Sequence, residues 1–197
     1  MKTPIDIPHI RLITVSGRIA SGSTTLAKKL AQTLGWRHIE GGEIFWEAVR
    51  AKLALAPKDT ALRPDEEDAA FDASLKETLK TQQHIVLETK LAGFNAQGLA
   101  DVFKILVLCE DASGVDQTQI RIDRLVNREQ ISIQEAKAEV LEREKNDIEK
   151  WRRLYANNDA NWTYWDKQYY DLVINTYAND HEQTLDLALS AIGIKNT

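Results

Sequence analysis

Residues 10–35 read IRLITVSGRIASGSTTLAKKLAQTLG, and this stretch decides the fold of the 197-residue chain. The apolar run at 10–16 is rich in branched residues and ends at a glycine, which predicts a buried strand. A helix is predicted from Thr24 to Leu34, because Gly35 stands where a helix commonly ends. The chain therefore opens with a strand, a short loop and a helix.

The rest of the chain continues to alternate strands with helices. Predicted strands lie at 36–39, 84–88, 103–109 and 171–176, and predicted helices lie at 43–55, 65–82, 118–155 and 180–192. Ser132 and Glu135 form a capping-box pattern that divides the third of these helices, and Asp180 with Gln183 begins the last. Alternation at this spacing predicts an α/β fold with a parallel sheet and right-handed crossovers.

The loop between the first strand and the first helix has the spacing of a phosphate-binding loop. Residues 17–24 read GRIASGST and fit the pattern GxxxxGK[ST], except that Ser23 replaces the lysine. Backbone N–H groups and the positive end of the helix dipole can surround a phosphate here. The hydroxyl of Thr24 can bind Mg²⁺. The alternative is a tight turn whose glycines and serines serve conformation alone. The flanking strand and helix favour the phosphate site.

A row of arginines lies on the predicted helix that starts near residue 118. Arg121, Arg124 and Arg128 fall within roughly 60° of one another at about 100° per residue, so they can project from one face. Such a face could close over a triphosphate and stabilise the group in transfer. The alternative is a solvated face with ion pairs between residues four apart. Beside a phosphate loop, the functional interpretation is favoured for Arg124 and Arg128.

Composition argues against several kinds of partner. The formal charge of −5 at pH 7 is not that of a surface for nucleic acid or anionic lipid. No stretch approaches the roughly 20 apolar residues of a membrane span, and residues 1–9 lack a secretion-signal pattern. The cytoplasm of a bacterium or archaeon is the expected compartment.

Cysteine and histidine usage predicts structural roles. The single cysteine, Cys109, lies in an apolar run, so it is expected to be buried and cannot form a disulfide within the chain. The four histidines show neither metal-ligand spacing nor a second ligand type nearby, and all four are expected to be structural.

Several segments together resemble the cytidylate kinases, in particular their short archaeal-type form, across nearly the whole chain. They are Gly22-Ser23-Thr24-Thr25, Gly42-Glu43-Ile44-Phe45, Glu88-Thr89-Lys90-Leu91-Ala92-Gly93, Ile120-Arg121-Ile122-Asp123-Arg124, Arg128-Glu129-Gln130-Ile131-Ser132, Arg143-Glu144 and Tyr170-Asp171-Leu172-Val173-Ile174-Asn175-Thr176. They are similar to the family's GTTT, GEIFR, EGRLAG, lid and YDLVINT segments. Because this form commonly has threonine in place of the loop lysine, Ser23 looks like a family trait.

The resemblance implies a fold and an activity. The fold is the P-loop NTPase three-layer sandwich, with a five-stranded parallel sheet of order 2-3-1-4-5 in a single domain that covers residues 1–197. An acceptor-binding insertion is expected at about 43–82, and a helical lid is expected at about 115–155. The activity is MgATP-dependent transfer of the γ-phosphoryl group to CMP or dCMP.

The acceptor side departs from the family pattern. GEIFR ends in an arginine that holds the acceptor phosphate, and that position is Trp46. The second such arginine, in EGRLAG, is Lys90, which keeps the charge but loses the two-pronged geometry. Arg50, one helical turn after Trp46, could supply the missing guanidinium and leave a working monophosphate kinase. Alternatively, Trp46 stacks on a different acceptor or is an ordinary packed aromatic, or the protein is a catalytically weak ATP-binding regulator.

Motif and resemblance together give the expected site. The catalytic residues are Arg124, Arg128 and Lys90, and the Mg²⁺ ligand is Thr24. The acceptor is expected to meet Trp46, Arg50, Glu88 and Lys90. The residues expected to bind ATP are Gly17, Ala20, Ser21, Gly22, Ser23, Thr24 and Thr25. The expected partners are small-molecule nucleotides, and the expected assembly is a monomer or a weak dimer.

Overall fold

One parallel sheet organises the part of the chain that the structure describes. The structure is a computed structural model, and it describes residues 3–42, 45 and 64–194. The strands are β1 (Leu12–Gly17), β2 (Arg37–Glu40), β3 (Ile85–Glu88), β4 (Val102–Leu108) and β5 (Leu172–Asn175). Their order is β2-β3-β1-β4-β5, and every neighbouring pair is parallel. The predicted five-stranded sheet of order 2-3-1-4-5 is confirmed.

The strand register brings acidic residues to one edge of the sheet. Glu88 at the end of β3 pairs with Val15 of β1 on one side and with Glu40 of β2 on the other. Because partners in register share a face, the side chains of Glu40 and Glu88 leave the sheet together. They do so at the carboxyl edge, where ligands of parallel α/β sheets bind.

Helices cover both faces of the sheet. The helices whose bounds lie within the described residues are α1 (Ser23–Leu34), α2 (Asp65–Thr81), α3 (Ala92–Asn95), α4 (Thr118–Glu129), α5 (Ile133–Lys137), α6 (Glu144–Tyr155) and α7 (His181–Ala191). One core cluster packs α1 and α7 against the sheet, and a second packs α2 and α3 against the opposite face. All six residues of β1 are buried, as expected for a central strand covered on both sides. This is the predicted three-layer arrangement.

Local capping signals act where the sequence predicts them. Ser132 and Glu135 form a reciprocal capping box that begins α5, and Asp180 with Gln183 forms one that begins α7. The connection from α5 to α6 was not predicted, since it is a π-helical turn over Ala138–Arg143. The helix predicted at 43–55 falls mostly on residues outside the described part of the chain.

Two smaller expectations concern membranes and the thiol. None of the helices described is both long and apolar enough to cross a bilayer. Cys109 is a buried free thiol with 1% of its surface exposed, as predicted.

Candidate active site

The loop after β1 follows a tight course that small residues permit. A Cβ on Gly17 would lie 2.4 Å from Ser21 Oγ and 3.0 Å from the carbonyl oxygen of Val107. Gly22 caps α1 at φ 107°, a left-handed conformation that suits glycine. The first backbone N–H groups of α1 lack helical acceptors and point toward this loop, which favours an anion there.

Ser23, in place of the motif lysine, contacts an acid from the sheet. Its hydroxyl donates to Glu88 Oε1 at 3.0 Å, and Thr24 hydrogen-bonds the same carboxyl group. Burial and the nearby charge of Glu40 raise the pKa of Glu88 to about 7, against the effect of these two hydrogen bonds. Glu88 thus lies directly beside the predicted phosphate loop.

A cavity at this loop, called here the phosphate cavity, gathers basic side chains from distant parts of the sequence. Gly17, Ser23, Thr24 and Glu88 form part of its wall. Within the described residues, four basic side chains line it, namely Arg18, Lys90, Arg128 and Arg143. Each has an acidic partner, in the pairs Arg18–Glu144, Lys90–Asp147, Arg128–Glu129 and Arg143–Glu139. Positive charge therefore converges on the cavity but is balanced by internal carboxylates.

A second cavity of about 510 Å³, called here the nucleoside cleft, adjoins the loop on the side of α4 and α7. Its size suits a nucleoside. Its walls include Ala20, Gly22 and Thr25 from the predicted ATP-binding set, together with Arg124 and Arg128. The structure therefore places the predicted donor-side residues in two adjoining cavities, apart from Ser21. The hydroxyl of Ser21 is fully buried and has no hydrogen-bond partner among the described residues.

The arginines of α4 have different surroundings. Arg124 donates to Thr176 Oγ1 at 2.9 Å and to the Thr176 carbonyl at 2.8 Å, which holds it at the wall of the nucleoside cleft. Arg128 is 51% exposed at the junction of the nucleoside cleft and the phosphate cavity.

Arg121 is a correction to the predicted three-arginine face. Its side chain is fully buried and ion-paired with Asp116 at 2.9 Å and Glu144 at 3.1 Å. It also donates to the carbonyl of Ile19 at 2.8 Å. Residues 118–129 are helical as predicted, but the side of α4 that carries Arg121 packs against Ile19 and Glu144. Arg121 therefore has a structural position and does not face a ligand.

Through Arg18, the phosphate loop is tied to residues 115–155, which are the predicted lid and are called here the lid segment. Arg18 Nε donates to Glu144 Oε1 at 3.0 Å, and the guanidinium also pairs with Asp116 at 3.1 Å. On its other side the guanidinium lies 4.5 Å from the ring centre of Trp165. Glu144 is shared with Arg121, so one buried network joins the loop, α4 and α6.

A third cavity, called here the acceptor pocket, lies between α2 and α6. Its wall includes the aromatic rings of Phe45 and Phe71, whose centres are 4.6 Å apart, and that of Trp151. Asp68 and Asp72 of α2 also line it. An aromatic wall with a few polar groups is typical of a pocket for a planar ring.

The acids of the acceptor pocket have partners from the lid segment and from α3. Lys150 of α6 pairs with Asp68 at 2.6 Å. Asp72 accepts hydrogen bonds from Asn95 and from the Tyr155 hydroxyl. Burial raises the pKa of Asp72 above its ordinary value, despite those hydrogen bonds.

Lys90 lies between the phosphate cavity and the acceptor pocket and lines both. Its ammonium group is 2.6 Å from Asp147 Oδ2, and only 3% of the Asp147 side chain is exposed. Burial lowers the pKa of Lys90, and the charge of Asp147 opposes that shift. Trp46 and Arg50, the other predicted acceptor residues, lie outside the described residues.

Arg143 was absent from the predicted catalytic and binding residues, yet it too lines both the phosphate cavity and the acceptor pocket. It is the last residue of the π-helical turn, a feature often found at functional sites. One signal in the sequence pointed to Arg143. The pair Arg143-Glu144 is among the segments that resemble the lid of the cytidylate kinases.

The strands β2 and β3 bring together one histidine and two glutamates. Ligand atoms of His38, Glu40 and Glu88 all lie within 4.8 Å of one another. The prediction that no second ligand type lies near any histidine is wrong for His38. His38 and Glu40 lie on β2 and Glu88 lies on β3, so the cluster depends on the register of the two strands and is invisible in the sequence.

Comparison with known proteins identifies the relatives of this chain. No family model matches it. It is 33% identical to the cytidylate kinase of Haloarcula marismortui over 183 residues, which cover 92% of this chain and 88% of the relative. The chain belongs to the cytidylate kinase family. It is also 32% identical to the cytidylate kinase of Methanosarcina mazei over 188 residues, which cover 91% of this chain and 95% of that protein.

Solved structures with the same fold include other small-molecule kinases. A gluconokinase from Sinorhizobium meliloti superposes with a TM-score of 0.58 at 12% identity, over 92% of this chain and 91% of the other. A shikimate kinase from Bacteroides thetaiotaomicron gives 0.56 at 13% identity, over 93% and 99%. At these identities the likeness shows the fold, which is that of the P-loop kinases. This member of the cytidylate kinase family is accordingly a kinase-type phosphotransferase.

Proposed function

We propose that this chain transfers the γ-phosphoryl group of ATP to CMP or dCMP. One observation carries the proposal: Lys90 and Arg143 line both the phosphate cavity and the acceptor pocket. Two cations at the junction of a donor cavity and an acceptor cavity are positioned to bind the oxygens on both sides of an in-line transfer.

The donor side fits ATP with Mg²⁺. Gly17 and Gly22 permit the tight course of the phosphate loop, and the nucleoside cleft continues from it on the side of Thr25. Thr24 would hold the ion through its hydroxyl, at the start of α1 and beside Glu88. Bound there, Mg²⁺ would neutralise charge on the donor phosphates. Ser23 supplies no charge, and Arg128, whose pair with Glu129 is half exposed, is proposed to compensate for the missing lysine.

On the acceptor side, Lys90 and Arg143 orient the acceptor phosphate, and Arg50 is proposed to assist them. Phe71 offers an apolar wall for the base, and Trp46 is proposed to extend that wall. No strong general base is required, because the attacking phosphate oxygen is already ionised at pH 7.

Arg124 and Arg128 act on the donor. Arg128 borders both donor cavities and is free enough in solvent to reach a γ-phosphate, so it is the proposed stabiliser of the group in transfer. Arg124, held by Thr176, is proposed to fix the donor beside the nucleoside cleft. Closure of the lid segment would exclude water from the transfer.

A second candidate, a kinase for a small acceptor without a phosphate, is favoured by the charge around Lys90. Asp147 already compensates that ammonium group, and the carboxylates of Glu40 and Glu88 stand beside the phosphate cavity. Carboxylates there would repel an acceptor phosphate and could accept a proton from a hydroxyl.

ADP release from MgATP distinguishes the candidates. The acceptors are CMP, dCMP, UMP, AMP and cytidine, with ATP binding measured in parallel by calorimetry. The expected result is turnover with CMP or dCMP above the others. Turnover with cytidine but not CMP would favour the second candidate. ATP binding without stimulation by any of these acceptors would contradict CMP and dCMP as substrates and would point to another acceptor or to a regulatory role.

We further propose that small-molecule nucleotides are the partners, that nucleic acids and membranes are not, and that the protein is a monomer or weak dimer in the cytoplasm. The formal charge of −5 supports the exclusion of polyanionic partners.

A further inference from the structure

A further cavity lies where α2 meets α3 and the residues that follow α3, and it is called here the basic pocket. Its volume is about 350 Å³, which is within the range of small-molecule sites. The described residues that line it are Lys76, Lys80, Phe94, Asn95, Gln97 and Leu99. The kinase proposal gives no role to any of these residues, so the basic pocket is a separate feature of the molecule.

The two lysines of the basic pocket lie one turn apart on α2. Residues four apart on a helix have Cβ atoms about 5–6 Å apart, so the ammonium groups of Lys76 and Lys80 can meet at one ligand. Both side chains are exposed, and no carboxylate among the described residues forms an ion pair with either. Their positive charge is therefore available to an anion.

Phe94 gives the basic pocket an aromatic wall. Its ring packs edge-on against Trp162 and Tyr169, with ring centres 5.3 Å apart in both pairs. These neighbours fix the orientation of the ring, which stays half-buried. Leu99 adds an apolar surface beside it. A fixed aromatic ring next to an aliphatic side chain is a suitable contact for the planar base of a nucleotide.

Asn95 brings an unsatisfied acceptor to the basic pocket. Only 9% of this residue is exposed, and its side-chain Nδ2 donates to Asp72 Oδ1 at 3.1 Å. Its Oδ1 has no hydrogen-bond partner among the described residues. A buried acceptor without a donor is costly. An amino group on a base in the pocket could donate to this oxygen and remove that cost.

We propose that the basic pocket binds a nucleoside triphosphate, with its phosphates at Lys76 and Lys80 and an amino-bearing base at Phe94 and Asn95. Ammonium groups attract phosphate oxygens, and the aromatic wall selects a ligand that also carries a planar ring. The hydrogen bond from Asn95 to Asp72 joins the basic pocket to the acceptor pocket, so the ligand lies next to the reaction centre but outside it. The proposal holds whichever acceptor the kinase uses.

Equilibrium dialysis of radiolabelled CTP with Mg²⁺ and without an acceptor tests the proposal on the full chain. The double variant Lys76→Gln with Lys80→Gln should bind one CTP fewer per chain than the parent, because loss of both charges weakens that component by at least about tenfold. The matched double variant Lys137→Gln with Lys145→Gln removes two exposed lysines outside the basic pocket. It should bind as many CTP molecules as the parent.

Periodate-oxidised CTP, whose ribose aldehydes attach to nearby lysines, locates the ligand without a substitution. After reduction with borohydride, peptide mass spectrometry should find the label at Lys76 or Lys80, and excess CTP should prevent the labelling. Label confined to Lys90 would assign the ligand to the acceptor pocket and would contradict the proposal.

Two results of the dialysis experiment would also overturn the proposal. One is an unchanged number of bound CTP molecules in the folded double variant Lys76→Gln with Lys80→Gln. The other is displacement of this CTP by an equal concentration of inorganic tripolyphosphate, which would show that the base contributes nothing. The expected result is displacement only at a concentration at least about tenfold higher. Circular dichroism melts establish that both double variants are folded.

Discussion

At the scale of single residues, the buried pair of Lys90 and Asp147 combines a structural role with a proposed functional one. The ammonium and carboxylate groups are 2.6 Å apart, and Asp147 is almost fully enclosed. Removing one member of such a pair leaves an uncompensated charge in the interior, which is costly, whereas replacing both is not. Paired variants can therefore separate stability from function.

Lys90→Met should lower the free energy of unfolding by about 3 kcal/mol, because Asp147 loses its nearer counter-charge and keeps Arg143 at 3.9 Å. The double variant Lys90→Met with Asp147→Leu should recover most of that stability. Both should lose at least about tenfold in kcat/KM for CMP, since neither can hold the acceptor phosphate. Urea denaturation and steady-state kinetics measure the two effects. Recovery of activity in the double variant would show that Lys90 serves structure alone.

Asp72 gives a prediction about pH. Its folded-state pKa is raised above the ordinary value of 3.8 by burial, so the native protein keeps this proton to higher pH than the unfolded chain. The resulting contribution to stability is present at low pH and is lost as pH rises through the folded-state pKa. Asp72→Asn removes this dependence, so its stability relative to the parent should increase as pH rises above about 4. Urea denaturation from pH 4 to 7 tests this, and a constant difference would contradict it.

At the scale of elements, α4 shows what helical periodicity can and cannot predict. A spacing of about 100° per residue places Arg121, Arg124 and Arg128 on one side of the helix. That spacing does not tell which of the three side chains packs against the rest of the protein. Arg121 is buried because Glu144 and the carbonyl of Ile19 approach it from other parts of the fold, in addition to the nearby Asp116. The two distant partners have no mark in the local sequence.

Methionine substitutions should therefore have opposite consequences on this helix. Arg121→Met should cost about 3 kcal/mol of stability, because Asp116 and Glu144 each lose one of the two guanidinium groups that compensate them and keep only Arg18. Arg128→Met should change stability by less than about 0.5 kcal/mol, since that residue is half exposed. It should lower kcat by at least about tenfold through loss of the guanidinium. Thermal melts and ADP-release assays distinguish them, and equal losses of stability would contradict the assignment.

The strands, the capping boxes and the sheet order could be predicted because they follow from local patterns and from the family's segments. Arg143 is different, since the π-helical turn that positions it has no sequence marker. The cluster around His38 requires the pairing of Glu40 with Glu88 across two strands. The roles of Trp46 and Arg50 stay predictions.

At the scale of the whole molecule, the buried network around Arg18 joins the phosphate loop to the lid segment. A phosphate bound at the loop would compete with Glu144 for Arg18, and it would thereby change the surroundings of Trp165, which lies against that guanidinium. Donor binding and lid position are expected to be coupled through this contact.

Tryptophan fluorescence should consequently change when MgATP is added. The change should be largely lost in Trp165→Phe, because that ring contacts Arg18, and it should persist in Trp36→Phe, whose ring packs against His84 on the other side of the fold. Stopped-flow and equilibrium titrations measure it. An unchanged spectrum in a protein that binds ATP by calorimetry would count against coupling through Trp165.

The π-helical turn has a consequence for how the lid segment can vary. An extra residue in one turn shifts the helical phase by about 100°, so the side chains after Ala138–Arg143 are not aligned with those before it. Upstream, Ala136 faces the core cluster of α4, while downstream Asp147 and Trp151 face the acceptor pocket. The helical segment from α5 through α6 therefore presents its buried side chains in one direction before the π-helical turn and in another direction after it. One extra residue in that turn sets the angle between the two directions.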